Sequence, residues 1–378
     1  MKLNETEIKA FGQAIQKLIG RQSLSEVETY NRFAEILRNR QPDLQQGAFL
    51  AALVAKGETA EEIVGAWRAI QEFDTTLASG PLPAVRCENS GTGMDTLKTF
   101  NVSSAAAIVA AACGVPMARH GARALTSFCG TVDILESVGV DVECDVETVS
   151  GSIRTAGIGL YNGMSGKVHP AALGRILSQI RFGSTLNIAA SLANPARPTH
   201  AVRGVYAEAL LPLLAEVMPR MGYVRGLVVH GQDRHHPGGM DELSITGPTL
   251  IREFTAGSAG QSYQVHPGDF GLQPAAFRDI AATGDRVTER RRFLRVLSGR
   301  DAGACADFTA INSAAVLFAA GRAGSLLQGL SISREALGSG AALAKLQHWT
   351  RVQTSTPGHG ESTLDHALRD AGLGDCRI

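Results

Sequence analysis

Residues 79–83 read Ser-Gly-Pro-Leu-Pro, and the chain has a different texture on either side of them. Two prolines and a glycine in five positions stop any regular element, so a boundary falls here. Before it, Ile8, Phe11, Ile15 and Leu18 recur at helical spacing. A second helix opens at Ser25-Glu26-Val27-Glu28, where Ser25 can cap and Glu28 can reach back. It continues through Tyr30, Phe33 and Leu37. A third starts near Pro42 and stops at Gly57. A fourth opens at Thr59, with Glu62 completing a second capping box, and carries Ile63, Ala66, Trp67 and Ile70. Four short-linked amphipathic helices predict a small all-α domain over residues 1–78.

After the boundary, glycine-rich turns alternate with short apolar strands and small-residue helices. An alanine-rich helix spans 103–113 and ends at Gly114, another runs from Thr131 to Val138, and 224–230 reads as a buried strand. Strands separated by helices predict an α/β fold with a largely parallel central sheet flanked by helices. Residues 119–123 read as a loop. The tail from about Gln353, rich in Gly, Ser and Thr, reads as partly mobile, and 351–378 is set apart.

Composition excludes several functions. Lys and Arg total 36 and Asp and Glu total 36, which leaves no bulk positive charge for nucleic acid, and aromatics for stacking bases are only 5%. The longest apolar run, 103–113, is shorter than the roughly 18–20 residues of a membrane span. The first residues lack the apolar stretch of a secretory signal. Six cysteines without a C-x-x-C pair read as reduced thiols of a cytoplasmic protein.

Three segments carry polar chemistry in sequence order. Asn89-Ser90-Gly91-Thr92-Gly93-Met94-Asp95 can turn successive backbone N–H groups toward one anion. Thr99-Phe100-Asn101-Val102-Ser103-Ser104 leads into the alanine helix, whose N-terminus is a second anion site, with Asn101 or Ser103 as cap. The stretch from Arg119 through His120, Gly121, Ala122 and Arg123 to Thr126 and Ser127 offers two cations and two hydroxyls, with Thr131 capping the next helix. Together they suit a ligand with several phosphates. The acidic pair Asp241-Glu242 can hold Mg²⁺ beside those phosphates. His235 and His236 lack a third ligand at useful spacing and read as exposed loop residues. No Ser-His-Asp order, G-x-S-x-G elbow or Walker A lysine loop is present.

In this order the motifs resemble the anthranilate phosphoribosyltransferase family, within the wider group that includes pyrimidine nucleoside phosphorylases. The likeness runs from about Leu24 to Leu346 and includes residues 48–59, Gly91-Thr92-Gly93-x-Asp95, 101–104, 119–123, 229–231, 241–243 and 269–272. It implies that phosphoribosyl pyrophosphate (PRPP) is bound by Gly91, Thr92, Gly93, Asp95, Thr99, Asn101, Val102, Ser103, Ser104, Arg119, Gly121, Arg123, Thr126, Ser127 and Thr131. Ser103, Asp241 and Glu242 would position Mg²⁺, and Arg119, His120 and Arg123 would serve the chemistry. It further implies a homodimer and a helical domain completed by about 169–188, leaving 84–168 and 189–350 as the α/β domain. The chain departs from the pattern on the acceptor side. Met94 replaces a glycine, Arg119 a lysine and Ala122 an asparagine that would contact anthranilate, while Arg181 is the arginine available in place of a disturbed pair. The implied activity is transfer from PRPP to an aromatic or heteroaromatic nitrogen, anthranilate-like, with anthranilate itself left open. The alternatives are a phosphate-dependent nucleoside phosphorylase and a non-catalytic homologue that binds nucleic acid or a regulatory ligand.

Overall fold

A computed structural model describes residues 5–123, 129–258 and 260–376. Helices α1 (Glu5–Ile19), α2 (Glu26–Leu37), α3 (Asp43–Lys56) and α4 (Ala60–Phe73) form the N-terminal bundle. Both capping boxes are closed: Glu28 N–H donates to Ser25 Oγ at 3.2 Å and Ser25 N–H to the Glu28 carboxylate at 2.9 Å. The second box makes a further tie. Glu62 accepts from Thr59 N–H at 2.8 Å, from Leu24 N–H at 2.9 Å and from Lys56 Nζ at 2.8 Å, so its buried charge is fully partnered. Phe11, Phe33 and Phe49 stack in the bundle core at centroid separations of 5.2 and 5.8 Å.

The rest of the chain builds one sheet. Its strands are β1 (Cys87–Ser90), β2 (Met117–Gly121), β3 (Ile158–Asn162), β4 (His200–Gly204), β5 (Arg225–Gln232), β6 (Gly239–Met240), β7 (Thr249–Thr255) and β8 (Ser262–Val265). The order is β3-β2-β1-β4-β5-β7-β8, with β6 also paired to β5. From β3 to β5 the ladders are parallel, and those of β7 and β8 are antiparallel. Helix α5 (Val102–Ala112) shares the main core with the long apolar helix at Ala304–Ala319, while Leu210–Arg220 covers the opposite face. Between β3 and β4 the chain returns to the bundle. Leu173 and Ile176 of the helix Leu173–Ile180, and Leu186 and Ala189 of the helix Thr185–Ala189, join the apolar cluster of α1–α4.

Two expectations need correcting. Arg119, His120 and Gly121 are the last residues of β2 and pair with Leu160, Tyr161 and Asn162, so they are not a loop. Within the tail, His359–Asp370 is a helix, because Leu364, Ala367 and Leu368 bury an apolar stripe that its polar composition conceals. Among the described residues no helix is long and apolar enough to cross a membrane.

Strand order reverses between β1 and β4, the place where open α/β sheets bind ligands beyond their strand C-termini. Ser90, Gly121, Asn162 and Gly204 end the parallel strands on that edge. The polar motifs emerge there.

Candidate active site

Two glycines bring the acidic pair against the first loop. A side chain at Gly91 would place its Cβ 2.5 Å from Asp241 Cβ, and one at Gly204 would overlap the Asp241 carbonyl oxygen. The loop grips the carboxylate directly. Thr92 Oγ1 donates to Asp241 Oδ2 at 2.8 Å and Gly93 N–H donates to the same oxygen at 2.7 Å. Gly93 reaches this geometry with φ +71°, a conformation that glycine adopts without steric cost.

The other oxygens have nothing. Asp241 Oδ1 and Glu242 Oε2 are buried without a hydrogen-bond partner. Burial, and then the nearby Asp95 charge, push the Asp241 carboxyl up to about 6 and hold Glu242 well above its usual range. Ser103 hydrogen-bonds Glu242 and partly offsets that rise. Asn89 Nδ2 donates to the Ser103 carbonyl at 2.7 Å, which anchors the first turn of α5 beside the pair. Crowded, unsatisfied carboxylate oxygens next to a serine hydroxyl fit a hard divalent cation such as Mg²⁺. Among the described residues no three His, Cys, Asp or Glu side chains form a metal-holding cluster, so water or substrate oxygens would complete the coordination. Asp95 is held by Lys98 at 2.8 Å.

The other predicted residues are placed differently. Thr99 pairs with Ala281 in an isolated bridge. Asn101 occupies the cap position of α5, but its side chain donates to the Cys129 carbonyl at 3.1 Å and does not cap. Val102, Ser103 and Ser104 form the helix's first turn. Thr131 is the first residue of its helix and not its cap; Gly130 holds that place, with its N–H on Asp133 at 2.9 Å. Gly121 is small because Thr131 Cγ2 would lie 2.7 Å from any Cβ there. The carbonyl of Ala122 accepts from Val132 N–H at 3.3 Å. Thr126 and Ser127 lie outside the described residues.

Of the three residues assigned to chemistry, none is a free cation at the cleft. Arg119 is 1% exposed on β2, with Nε and Nη1 unpartnered, and burial lowers its pKa to about 10. Arg123 makes a two-pronged contact with Glu136 at 2.7 and 2.9 Å and lies 3.5 Å from Asp133, so its charge is already matched. His120 Nε2 lies 3.1 Å from His169 Nε2, and His169 Nδ1 lies 2.5 Å from the Asp74 carbonyl. With His169 donating from Nδ1, His120 donates from Nε2, and its longer 3.3 Å approach to the Ser191 carbonyl carries no proton. Burial first, then His169, lower the His120 pKa to about 3; burial lowers His169 as well. Buried and paired with His169, His120 is held as a neutral ring.

That pair makes stability pH-dependent. Below the ordinary value of 6.5 and above the folded value of about 3, the unfolded chain binds more protons than the folded one. Stability should fall as pH drops through this window, by up to about 1.4 kcal/mol per pH unit for each ring. Urea midpoints at about pH 7 and about pH 5 check this, and His120→Gln should flatten the dependence.

Arg181 does not reach the acceptor side. It sits at φ +49°, exposed, with Nε on the Ser178 carbonyl at 3.1 Å. The neighbouring Gly183 lies beneath Met94, whose Cε would be 2.7 Å from a Cβ at that position, so the methionine spans from the first loop to the returning segment. Sequence reasoning missed three residues here. Arg203 is buried at the end of β4 and bonded to Ser90 and Ser191. Glu58 accepts from Thr185 Oγ1 at 2.8 Å, and its charge, like that of Asp241, raises the half-buried Tyr206 hydroxyl after burial itself. A lone arginine inside the apolar strand His200–Gly204 was the one available signal.

Known proteins share this two-domain fold. Residues 85–343 match the α/β domain of a glycosyltransferase family, and residues 12–73 match its helical bundle domain. The anthranilate phosphoribosyltransferase of Chloroflexus aurantiacus is 38% identical over 343 residues, covering 90% of this chain and 98% of its own. That of Rubrobacter xylanophilus is 36% identical over 351 residues, 92% of this chain and 99% of its own. The crystal structure of the Thermus thermophilus enzyme superposes with a TM-score of 0.81 at 32% identity, over 90% of this chain and 99% of that one. The Saccharomyces cerevisiae enzyme in complex with PRPP and Mg superposes at 0.80 with 25% identity, over 93% and 99%. The chain belongs to the anthranilate phosphoribosyltransferase family.

Proposed function

We propose that this protein transfers the phosphoribosyl group of PRPP to the nitrogen of a small aromatic amine, with Mg²⁺ as the required cation. The observation that carries the reading is Asp241. One of its oxygens is locked by the 91–93 loop while the other, with Glu242 Oε2, is buried and unsatisfied. Donor loop and acidic pair thus make one cradle. The relatives above are named for this transfer, and the yeast enzyme holds PRPP and Mg in its complex.

Bound Mg²⁺ would supply charge neutralisation for the diphosphate. The chain's own part is positional. With the Gly93 N–H held by Asp241, the backbone amides of Thr92 and of Ser103 in the first turn of α5 are the N–H groups to meet the leaving group's developing charge. Ser103, Asp241 and Glu242 are the groups to hold the cation. No protein nucleophile is needed, since an amine held in line and shielded from water attacks the sugar C1 itself. Incubation with PRPP, Mg²⁺ and a panel of aromatic amines should release pyrophosphate; no release with any of them would count against the reading. We also infer a cytoplasmic location and a homodimer, the latter supported by the apolar residues Leu44, Ala48, Ala51 and Ala55, which lie exposed along one side of α3.

A further inference from the structure

Two passages that join the helical bundle to the sheet run side by side. Residues 74–86 lead from α4 to β1, and residues 190–199 lead from the helix Thr185–Ala189 to β4. Ala78 N–H donates to the Pro195 carbonyl at 3.2 Å and Arg86 N–H to Thr199 Oγ1 at 3.2 Å, which ties the passages together. They enclose a cavity of about 210 Å³, walled by Leu77, Ala78 and Leu82 of the first and by Pro195 and Ala196 of the second. Arg86 directly precedes β1 and Arg197 lies shortly before β4, so the cavity sits at the sheet edge where these strands begin. The cleft with the acidic pair lies at the opposite edge, where they end.

The apolar walls carry cations. Arg86 and Arg197 line the cavity, and Arg154 Nη1 would lie 3.1 Å from a Cβ at Gly80, which lines it too. Arg86 commits Nε to the Ala196 carbonyl at 2.7 Å and Nη1 to the Pro83 carbonyl at 3.0 Å, and among the described residues its Nη2 makes no hydrogen bond. Burial lowers its pKa, so its charge is short of water. Arg197 has no side-chain partner among the described residues and stands at φ +46°, a left-handed conformation that is costly for arginine. Such strain gathers at ligand clamps and switch segments. Among the described residues no carboxylate bonds any of the three guanidinium groups. Glu147, whose charge reaches Arg154, is held by Ser79 N–H at 2.8 Å and by Ser79 Oγ at 2.9 Å.

An apolar hollow with unmatched guanidinium groups around it fits an anion with a hydrocarbon body. Its volume falls below the roughly 300–1,000 Å³ of a drug-sized pocket, so the ligand is small. We propose that this cavity binds a small organic carboxylate between Arg86 and Arg197, and that its occupation fixes the angle of the bundle to the sheet. The ligand bridges both passages, so closing the bundle on the sheet has to work against it. The binding site stands apart from the transferase reading; only its effect on turnover rests on that reading.

The test titrates hexanoate and 4-methylpentanoate, each beside its neutral amide, into protein held in saturating PRPP and Mg²⁺, with calorimetric readout. At least one acid should bind about tenfold tighter than its amide, the usual worth of a hydrogen bond to a charged group. Arg197→Asn, which installs a residue tolerant of positive φ, should erase that preference and leave the melting midpoint unchanged or raised. Ala78→Leu, which fills the hollow, should weaken acid and amide alike. The bound acid should also change the kcat of the wild type and not that of Arg197→Asn. Acids that bind no better than their amides, or a preference that survives Arg197→Asn, would overturn the site. Acid binding with an unchanged kcat would overturn the coupling to the bundle. If the wild type shows no turnover at all, the transferase reading fails while the titrations still decide the site.

Discussion

Replacing Asp241 with Asn and Glu242 with Gln together should abolish Mg²⁺-dependent PRPP binding and cut turnover by roughly a thousandfold or more, the scale of losing several kcal/mol of charge stabilisation. The same change should leave the fold intact or make it firmer. In the apo protein these carboxylates crowd Asp95 and leave Asp241 Oδ1 and Glu242 Oε2 buried without partners. Neutral isosteres remove that repulsion, and the amide oxygen introduced by Asp241→Asn would still accept from Thr92 and Gly93. Thermal melts without Mg²⁺ should therefore show an unchanged or raised midpoint beside the lost activity. A large fall in the midpoint would mean that the pair holds the structure together and not a ligand.

Gly91→Ala should be nearly as damaging by a different route. Its Cβ would stand 2.5 Å from Asp241 Cβ and 2.6 Å from Oδ2, and Asp241 cannot retreat, because its own carbonyl is packed on Gly204. Overpacking of this kind costs about 1–3 kcal/mol of stability. The larger consequence is that the carboxylate swings away from Thr92 and Gly93, so PRPP affinity falls with it. Gly93→Ala is the control. Nothing lies within 4 Å of a Cβ there, and the penalty is the positive φ alone, about 1 kcal/mol. Measured side by side, Gly91→Ala should lose PRPP binding and Gly93→Ala should largely keep it.

How far the sequence reveals this protein depends on the range of the interactions. The capping boxes at Ser25 and Thr59 span three residues each and are readable as written. The buried strand read at 224–230 appears as Arg225–Gln232. The register of Gly91 against Asp241 joins residues about 150 positions apart, and only the order of motifs hinted at it. The stretch at Arg119 and His120 misled because two polar residues ahead of a glycine look like a loop. Here they are strand residues, buried because His169, Asp74 and Glu88, all distant in sequence, surround them. Arg123 reads as a phosphate ligand from its motif alone, and its contact with Glu136 at 2.7 Å, in the last turn of the helix Thr131–Ser137, shows only in the structure. Arg203 drew no notice for the converse reason. Its partners Ser90 and Ser191 are 113 and 12 residues away, and neither is unusual alone.

The central claim is that the glycine loop and the acidic pair make one cation-dependent cradle for a phosphorylated sugar, and calorimetric titration of PRPP tests it most directly. Wild-type protein should bind PRPP tightly with Mg²⁺ and weakly or not at all with a chelator present, while the Asp241→Asn, Glu242→Gln chain should show no Mg²⁺ enhancement. Equal PRPP affinity with and without the cation, or an undiminished Mg²⁺ effect in the double variant, would contradict it.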